Sequence, residues 1–168
     1  QGIRAAQAEV FDDYTQRRVE LYAEYEGQCQ REGVVDFAEL LLRTYELMCR
    51  NEPLRRHYQE RFRHILVDEF QDTNKLQYAW LKLLASRDGV ALPAQGACLF
   101  AVGDDDQSIY AFRGAEVGNM RDLEREFGIA KVIRLEQNYR SHGNILDAAN
   151  ALIKNNHGRL GKNLWTEA

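Results

Sequence analysis

The chain has 168 residues, 45% of them apolar and 29% charged, the balance of a globular protein long enough to bury a core rather than of a disordered one. With 22 basic against 26 acidic residues its formal charge is −4, so no bulk positive field announces a nucleic-acid partner, and any cationic surface has to be local. No run of about 18 apolar residues offers a membrane span.

In chain order, residues 4–31 are polar with scattered apolar positions (Val10, Tyr14, Leu21, Tyr25), the pattern of one or two exposed helices. A second helix starts at Asp36, with Glu39 three residues on as in a capping box, and Phe37, Leu40, Leu41, Thr44 and Met48 on a common face. Asn51-Glu52-Pro53 breaks it, and a short basic helix follows. Ile65-Leu66-Val67 reads as a strand buried on both faces, and Leu76, Trp80, Leu83 and Leu84 as the next helix. Ser86 to Gly96 reads as a loop, Cys98 to Val102 as a second buried strand, and Val117, Met120, Leu123 and Phe127 as a helix. Lys131 to Leu135 is expected to be a third strand. A last helix is capped by Ser141, with Ile145, Ala148, Ala149, Leu152 and Ile153 inward. Strands alternating with helices predict an α/β fold with a parallel sheet. Cys29, Cys49 and Cys98 are too widely spaced for a zinc site and odd in number, so buried free thiols in a reducing cytoplasm are expected. The first residues, Gln1 to Val10, lack the order of a signal peptide.

Each predicted strand ends in a polar cluster: Asp68 to Asp72, Gly103 to Gln107, and Glu136 to Arg140. In parallel sheets ligands bind beyond the carboxyl ends of the strands, so three clusters there predict one cleft. A strand ending in two acids suits nucleotide hydrolysis. The first, Asp68, can hold magnesium through water, and the second, Glu69, can orient and deprotonate the attacking water.

The string Val67-Asp68-Glu69-Phe70-Gln71-Asp72-Thr73 resembles the Walker B motif of superfamily-1 DNA helicases of the UvrD/Rep/PcrA type. Val102 to Ala115, with Gly103-Asp104-Asp105-Asp106-Gln107-Ser108-Ile109-Tyr110, resembles the family's motif that senses nucleotide and couples it to DNA. Arg134 to Ser141 resembles the motif that opens its second motor lobe, and Asp36 to Leu41 is also similar to a segment of these proteins. The resemblance runs from about Gly33 to Trp165. It implies a partial RecA-like P-loop NTPase lobe. Residues 1–32 would be the helical end of an inserted subdomain, 33–130 the later half of the first lobe, and 131–168 the start of the second. ATP and Mg²⁺ are the implied cofactors. Single-stranded DNA and single-strand/duplex junctions are the implied partners, with DNA repair proteins alongside them, and the implied location is cytoplasmic.

By the same resemblance Asp68 binds magnesium, Glu69 is the catalytic base, Gln107 contacts the terminal phosphate and Gln71 positions groups near it. Tyr139 stacks on adenine and Arg140 acts as an arginine finger. Tyr110, Phe112 and Arg113 contact DNA. The family often has Trp at the Phe112 position, so this chain keeps a smaller stacking face. The implied activity is 3′-5′ unwinding of duplex DNA driven by ATP hydrolysis. Asp104, Asp105 and Asp106 lack the alternate acids and glycine of an EF-hand, and a strained polar turn is the expectation there.

No G-x-x-x-x-G-K-[ST] loop is present, and Gly161-Lys162-Asn163 lacks both its earlier Gly and its final Ser or Thr. Family members carry the true loop upstream, so the resemblance implies a middle slice that is inactive alone. Three alternatives share these features: a helicase–nuclease subunit of the RecB or AddA kind, a non-catalytic interaction module of the same fold, and a P-loop NTPase with no nucleic-acid role.

Overall fold

Helix α1, Asp13–Glu32, starts where the Asp12 carboxylate accepts the Thr15 amide at 2.7 Å and the Thr15 hydroxyl accepts the Asp12 amide at 3.0 Å. It stops at Gly33, whose φ of 67° is the left-handed turn glycine makes without strain. None of its residues is buried, as the polar pattern predicts. These coordinates are a computed structural model, and it describes residues 2–86, 97–129, 132–157 and 159–167. The loop expected at Ser86 to Gly96 lies, beyond Ser86, outside the described residues. The chain divides into two compact units, Gln1–Ile65 with Asn74–Leu99, and Leu66–Thr73 with Phe100–Ala168.

In the first unit, α2 (Phe37–Arg50) is capped by Asp36, which accepts the Glu39 amide at 2.7 Å. The reciprocal half of the expected capping box does not form. Glu39 turns instead to the Arg4 guanidinium, with both oxygens 2.7 Å from Nη1, because a charged donor binds a carboxylate more strongly than a backbone amide does. The common face expected on α2 is buried only in part. Phe37 is 92% exposed and Leu40 51%, while Leu42 and Met48 are buried. Apolar residues at 37, 40, 41, 42, 47 and 48 fit more than one helical stripe, and contact with α4 selects the Leu42–Met48 side. There Met48 Sδ accepts from Trp80 Nε1 at 3.3 Å.

Helix α3, Glu52–Arg61, begins at the Asn51 cap with Pro53 in its first turn, where a missing amide hydrogen costs nothing. Arg55 on α3 donates to the Met48 carbonyl at 2.8 Å, closing the end of α2. Gln59 donates to the carbonyls of Leu83 at 2.8 Å and Ser86 at 2.6 Å, closing the end of α4, Lys75–Ala85. Arg4 binds Glu46 through Nε (3.0 Å) and Nη2 (2.8 Å), Glu39, and Glu26 at 3.2 Å, so one guanidinium ties α1 and α2 to the N-terminal segment.

Strands β1 (His64–Val67) and β2 (Cys98–Ala101) pair in parallel. Cys98 donates to Arg63 and Val102 to Val67, both at 2.8 Å, with residue numbers rising together. The expectation of strands buried on both faces is corrected. Burial alternates along each, with Leu66 77% and Phe100 58% exposed. No strand forms over 132–135, the described part of the third strand expected from Lys131 to Leu135. A strand needs a neighbour for its ladder bonds, and among the described residues of this segment only Gln137 forms a bridge, parallel to Trp165.

In the second unit, α5 (Gly118–Glu126) packs on the 3-10 turn Phe70–Asp72, with Phe70 and Leu123 buried. Asn119 Nδ2 fixes this contact by donating to the Thr73 carbonyl at 2.9 Å. Helix α6, Gly143–Ile153, starts at His142, and Ser141 does not cap it. The Ser141 amide is drawn to Asn138 Oδ1 at 2.8 Å. The expected inner side of α6 is likewise corrected, since Ile145 is 55% and Leu152 74% exposed. Leu146 and Asn150 are the buried pair, and Asn150 exchanges two hydrogen bonds with the backbone of Leu164, at 2.7 and 3.1 Å. The three cysteines are free, but Cys49 and Cys98 are exposed and Cys29 partly so, against the expected burial. Among the described residues no helix is long and apolar enough to cross a membrane.

Arg4 contributes to the acid response of the first unit through Glu46 and Glu39. Hydrogen bonds from Arg4 hold the Glu46 carboxyl below its ordinary value. Burial pushes Glu39 the other way, and the bonds from Arg4 and Arg43 outweigh it. Both shifts are downward, so their stabilisation is complete above the ordinary Glu range of about 4.3 and is lost as pH falls through the depressed values. Arg4→Met is expected to cost about 1.5–3 kcal/mol at neutral pH and to flatten the loss of stability on acidification. Urea titrations at pH 7 and pH 4 measure both effects.

Candidate functional site

The site residues named from sequence all lie in the second unit, Leu66–Thr73 with Phe100–Ala168. Beyond the end of β1, Glu69 sits at φ 50°, ψ 44°, the only non-glycine residue with positive φ among those described. Such a conformation costs about 1–3 kcal/mol and persists only where neighbours enforce it. Three bonds do so here. Asp68 Oδ1 accepts the Glu69 amide at 2.9 Å. Gln71 Nε2 donates to Glu69 Oε2 at 2.6 Å. The Phe70 amide donates to the Val102 carbonyl at 2.9 Å, with the Phe70 ring buried.

Gln71 is 1% exposed and satisfied at both ends of its amide. Its nitrogen meets a carboxylate and its oxygen accepts the Asp104 amide at 2.9 Å, the only orientation that pairs both. Gly103 permits this approach, because a Cβ there would stand 2.9 Å from Gln71 Oε1. One buried side chain therefore joins the segment after β1 to the segment after β2.

The second segment turns immediately. Asp104 Oδ1 accepts the Asp106 amide at 3.1 Å, and Asp104 Oδ2 accepts Gln107 Nε2 at 2.6 Å. Glu69, Gln71, Asp104 and Gln107 thus form one hydrogen-bonded line, while Asp68 and Glu69 have no cationic partner among the described residues. Sequence reasoning missed what holds this turn. Arg159 forks onto Asp106, with Nε 2.8 Å from Oδ1, the Leu160 amide donates to Asp105 at 2.6 Å, and Lys162 pairs with Asp104. Carboxylate oxygens of the three aspartates lie within 4.8 Å of one another, yet each carboxylate already has its own donor. Burial raises the Asp104 carboxyl, but the bonds from Lys162 and Gln107 outweigh it and hold it below the ordinary value. Only the cationic residues in Arg159-Leu160-Gly161-Lys162 hinted at this role, and nothing local says which acids they meet.

Downstream, Ala111–Arg113 is a 3-10 turn rather than extended chain, closed by Gly114 at φ 86°. The rings of Tyr110 and Phe112 nonetheless lie 5.9 Å apart at 52°. The Arg113 guanidinium sits 4.8 Å from the half-buried Tyr110 ring and 5.5 Å from that of Phe112, cation–π contacts that brace the aromatic pair. Phe112 is 79% exposed, which leaves a ring surface facing solvent.

Tyr139 is 87% exposed, with its hydroxyl donating to Gln137 at 2.7 Å. Asn138 Oδ1 shapes this turn by accepting the amides of Arg140 at 2.9 Å and Ser141 at 2.8 Å. The exposed Arg140 guanidinium has no partner among the described residues, and no hydrogen bond or ion pair joins Tyr139 or Arg140 to the Glu69–Gln107 line.

Residues 3–128 match the family described as UvrD/REP helicase N-terminal domain. DNA helicase II of Haemophilus influenzae is 52% identical over 168 residues, covering 99% of this chain and 22% of its own length. DNA helicase II of Escherichia coli is 56% identical over 147 residues, 88% of this chain and 19% of its own. ATP-dependent DNA helicase UvrD1 of Mycobacterium bovis is 44% identical over 158 residues, 94% of this chain and 20% of its own. The chain thus spans about a fifth of the length of these relatives. With so much of it matched, the chain belongs to the UvrD/REP helicase family, in whose N-terminal domain residues 3–128 fall.

Proposed function

We propose that this chain is the central part of an ATP-dependent DNA helicase that couples ATP hydrolysis to 3′-5′ movement along single-stranded DNA and unwinds duplex DNA during repair. Residues 33–130 belong to the later half of a first RecA-like lobe, 131–168 to the start of a second, and 1–32 to an inserted helical subdomain. The observation that carries this reading is the buried Gln71 amide, which links Glu69 to the turn bearing Gln107. An acid after one strand and an amide after the next, held in one line, suit a group that activates water and a group that reads the phosphate it attacks.

Asp68 is the residue that would hold Mg²⁺. Its carboxylate is exposed at a strand end and uses one oxygen on the Glu69 amide, which fits an ion that takes few protein ligands and keeps its waters. When bound, that ion supplies charge neutralisation on the phosphates. Glu69, held in its left-handed turn and steadied by Gln71, accepts the proton of the attacking water. Gln107 releases Asp104 and turns its amide to the terminal phosphate. The Arg140 guanidinium is free to serve a phosphate as an arginine finger, and Tyr139 to stack on adenine. Gln71 acts as the positioning residue between Glu69 and the Gln107 turn. The exposed Phe112 ring, with Tyr110 and Arg113, is the platform for a DNA base, since stacking serves every base alike. ATP, Mg²⁺ and single-stranded DNA at duplex junctions are the ligands, DNA repair proteins the partners and the cytoplasm the location.

In the full-length helicase, Glu69→Gln is expected to keep nucleotide binding, read by fluorescence of a labelled ATP analogue, and to lose about 10²–10⁴ in turnover; near-normal hydrolysis would assign the base elsewhere. Phe112→Ala is expected to remove about 1–3 kcal/mol of base stacking. Unwinding should then fall far more than DNA-free ATP hydrolysis. Equal loss in both assays would end its role as a platform.

A further inference from the structure

Three consecutive aspartates are each held by a separate donor from one short strap. Lys162 pairs with Asp104, the Leu160 amide with Asp105 and Arg159 with Asp106. The strap doubles back through Gly161, at φ 75°, and is braced internally where Arg159 Nη2 donates to the Lys162 carbonyl at 3.1 Å. Both ion pairs are mostly sheltered, with side chains 18% and 12% exposed for Arg159–Asp106 and 20% and 21% for Lys162–Asp104. Lys162 and Gln107 converge on the same oxygen, Asp104 Oδ2. The amide of Gln107 is therefore parked on a carboxylate whose charge Lys162 shares.

We propose that the Arg159–Lys162 strap is a positioning element for Gln107, and that Lys162 sets how readily Gln107 leaves Asp104. A sheltered carboxylate with a cation beside it can lose one hydrogen bond and remain balanced. Without the cation the Gln107 amide becomes its remaining side-chain donor, and release is harder. Arg159 and the Leu160 amide hold the rest of the turn, so the Asp104 carboxylate stays within reach of Lys162 as Gln107 departs. The proposal rests on the reading that Gln107 faces the nucleotide.

The test measures DNA-stimulated ATP hydrolysis in the full-length helicase. Lys162→Met is expected to lower kcat by about tenfold, the scale of one charge-assisted hydrogen bond, with KM for ATP little changed. Lys162→Arg restores the rate. In a Gln107→Ala background Lys162→Met adds no further loss, because it acts through the amide already removed. Asp104→Asn moves the other way and raises hydrolysis without DNA, since a neutral partner holds Gln107 less firmly. It also serves if Lys162→Met folds poorly in thermal melts. Losses that multiply across Lys162→Met and Gln107→Ala, or a fall in rate with Asp104→Asn, overturn the proposal in favour of a purely structural strap. A normal rate in Gln107→Ala overturns the reading beneath it as well. An impaired Gln107→Ala beside a normal Lys162→Met overturns the strap's role alone.

Discussion

The arrangement of the second unit depends on one buried amide. Gln71 gives its nitrogen to Glu69 and its oxygen to the main chain of Asp104, and Gly103 makes room for it. A glutamate in the left-handed region is costly, and an amide buried without both partners is costlier still, so each condition is tolerable only because the other is met. The ladder bond from Phe70 to Val102 sets the register that brings these groups opposite each other. A shift along the strands would strand the amide, which ties strand pairing to the chemistry beyond the strand ends.

What was legible in the sequence follows the range of the forces involved. Helix starts at Asp36 and the break at Asn51–Pro53 are written in a few adjacent residues, and the chain obeys them. The two paired strands are likewise local apolar runs. Which face is buried depends on a partner elsewhere, and there the pattern misled. The row that read as one face of α2 and the row that read as the inner side of α6 remain open to solvent at Phe37, Leu40, Ile145 and Leu152. Val132 to Leu135 has the composition of a strand, yet the described residues offer it no ladder neighbour. Glu39 had the spacing for a capping box, and a distant Arg4 claimed it.

The candidate site was legible in its motifs and opaque in its supports. Gln71 and Gln107 could be named from the strings that carry them, whereas the bond joining Gln71 to Asp104 spans 33 residues and that joining Arg159 to Asp106 spans 53. Bonds over such separations leave no periodicity behind. Lys162 read as part of a failed phosphate loop, and its neighbour in space is an aspartate that local sequence could not identify.

Charge sorts the remaining roles. The aspartates at 104–106 form the densest acidic run among the described residues and look the most suited to a cation. Each is already met by the strap, so their negative charge is spent inside the protein. Asp68 and Glu69 are fewer and more exposed, and they face no cation among the described residues. Arg140 carries the opposite sign, on a turn held by Asn138 and with no partner for its guanidinium among the described residues. Unspent charge of both signs on ordered backbone is what a polyanionic substrate and its metal ion require.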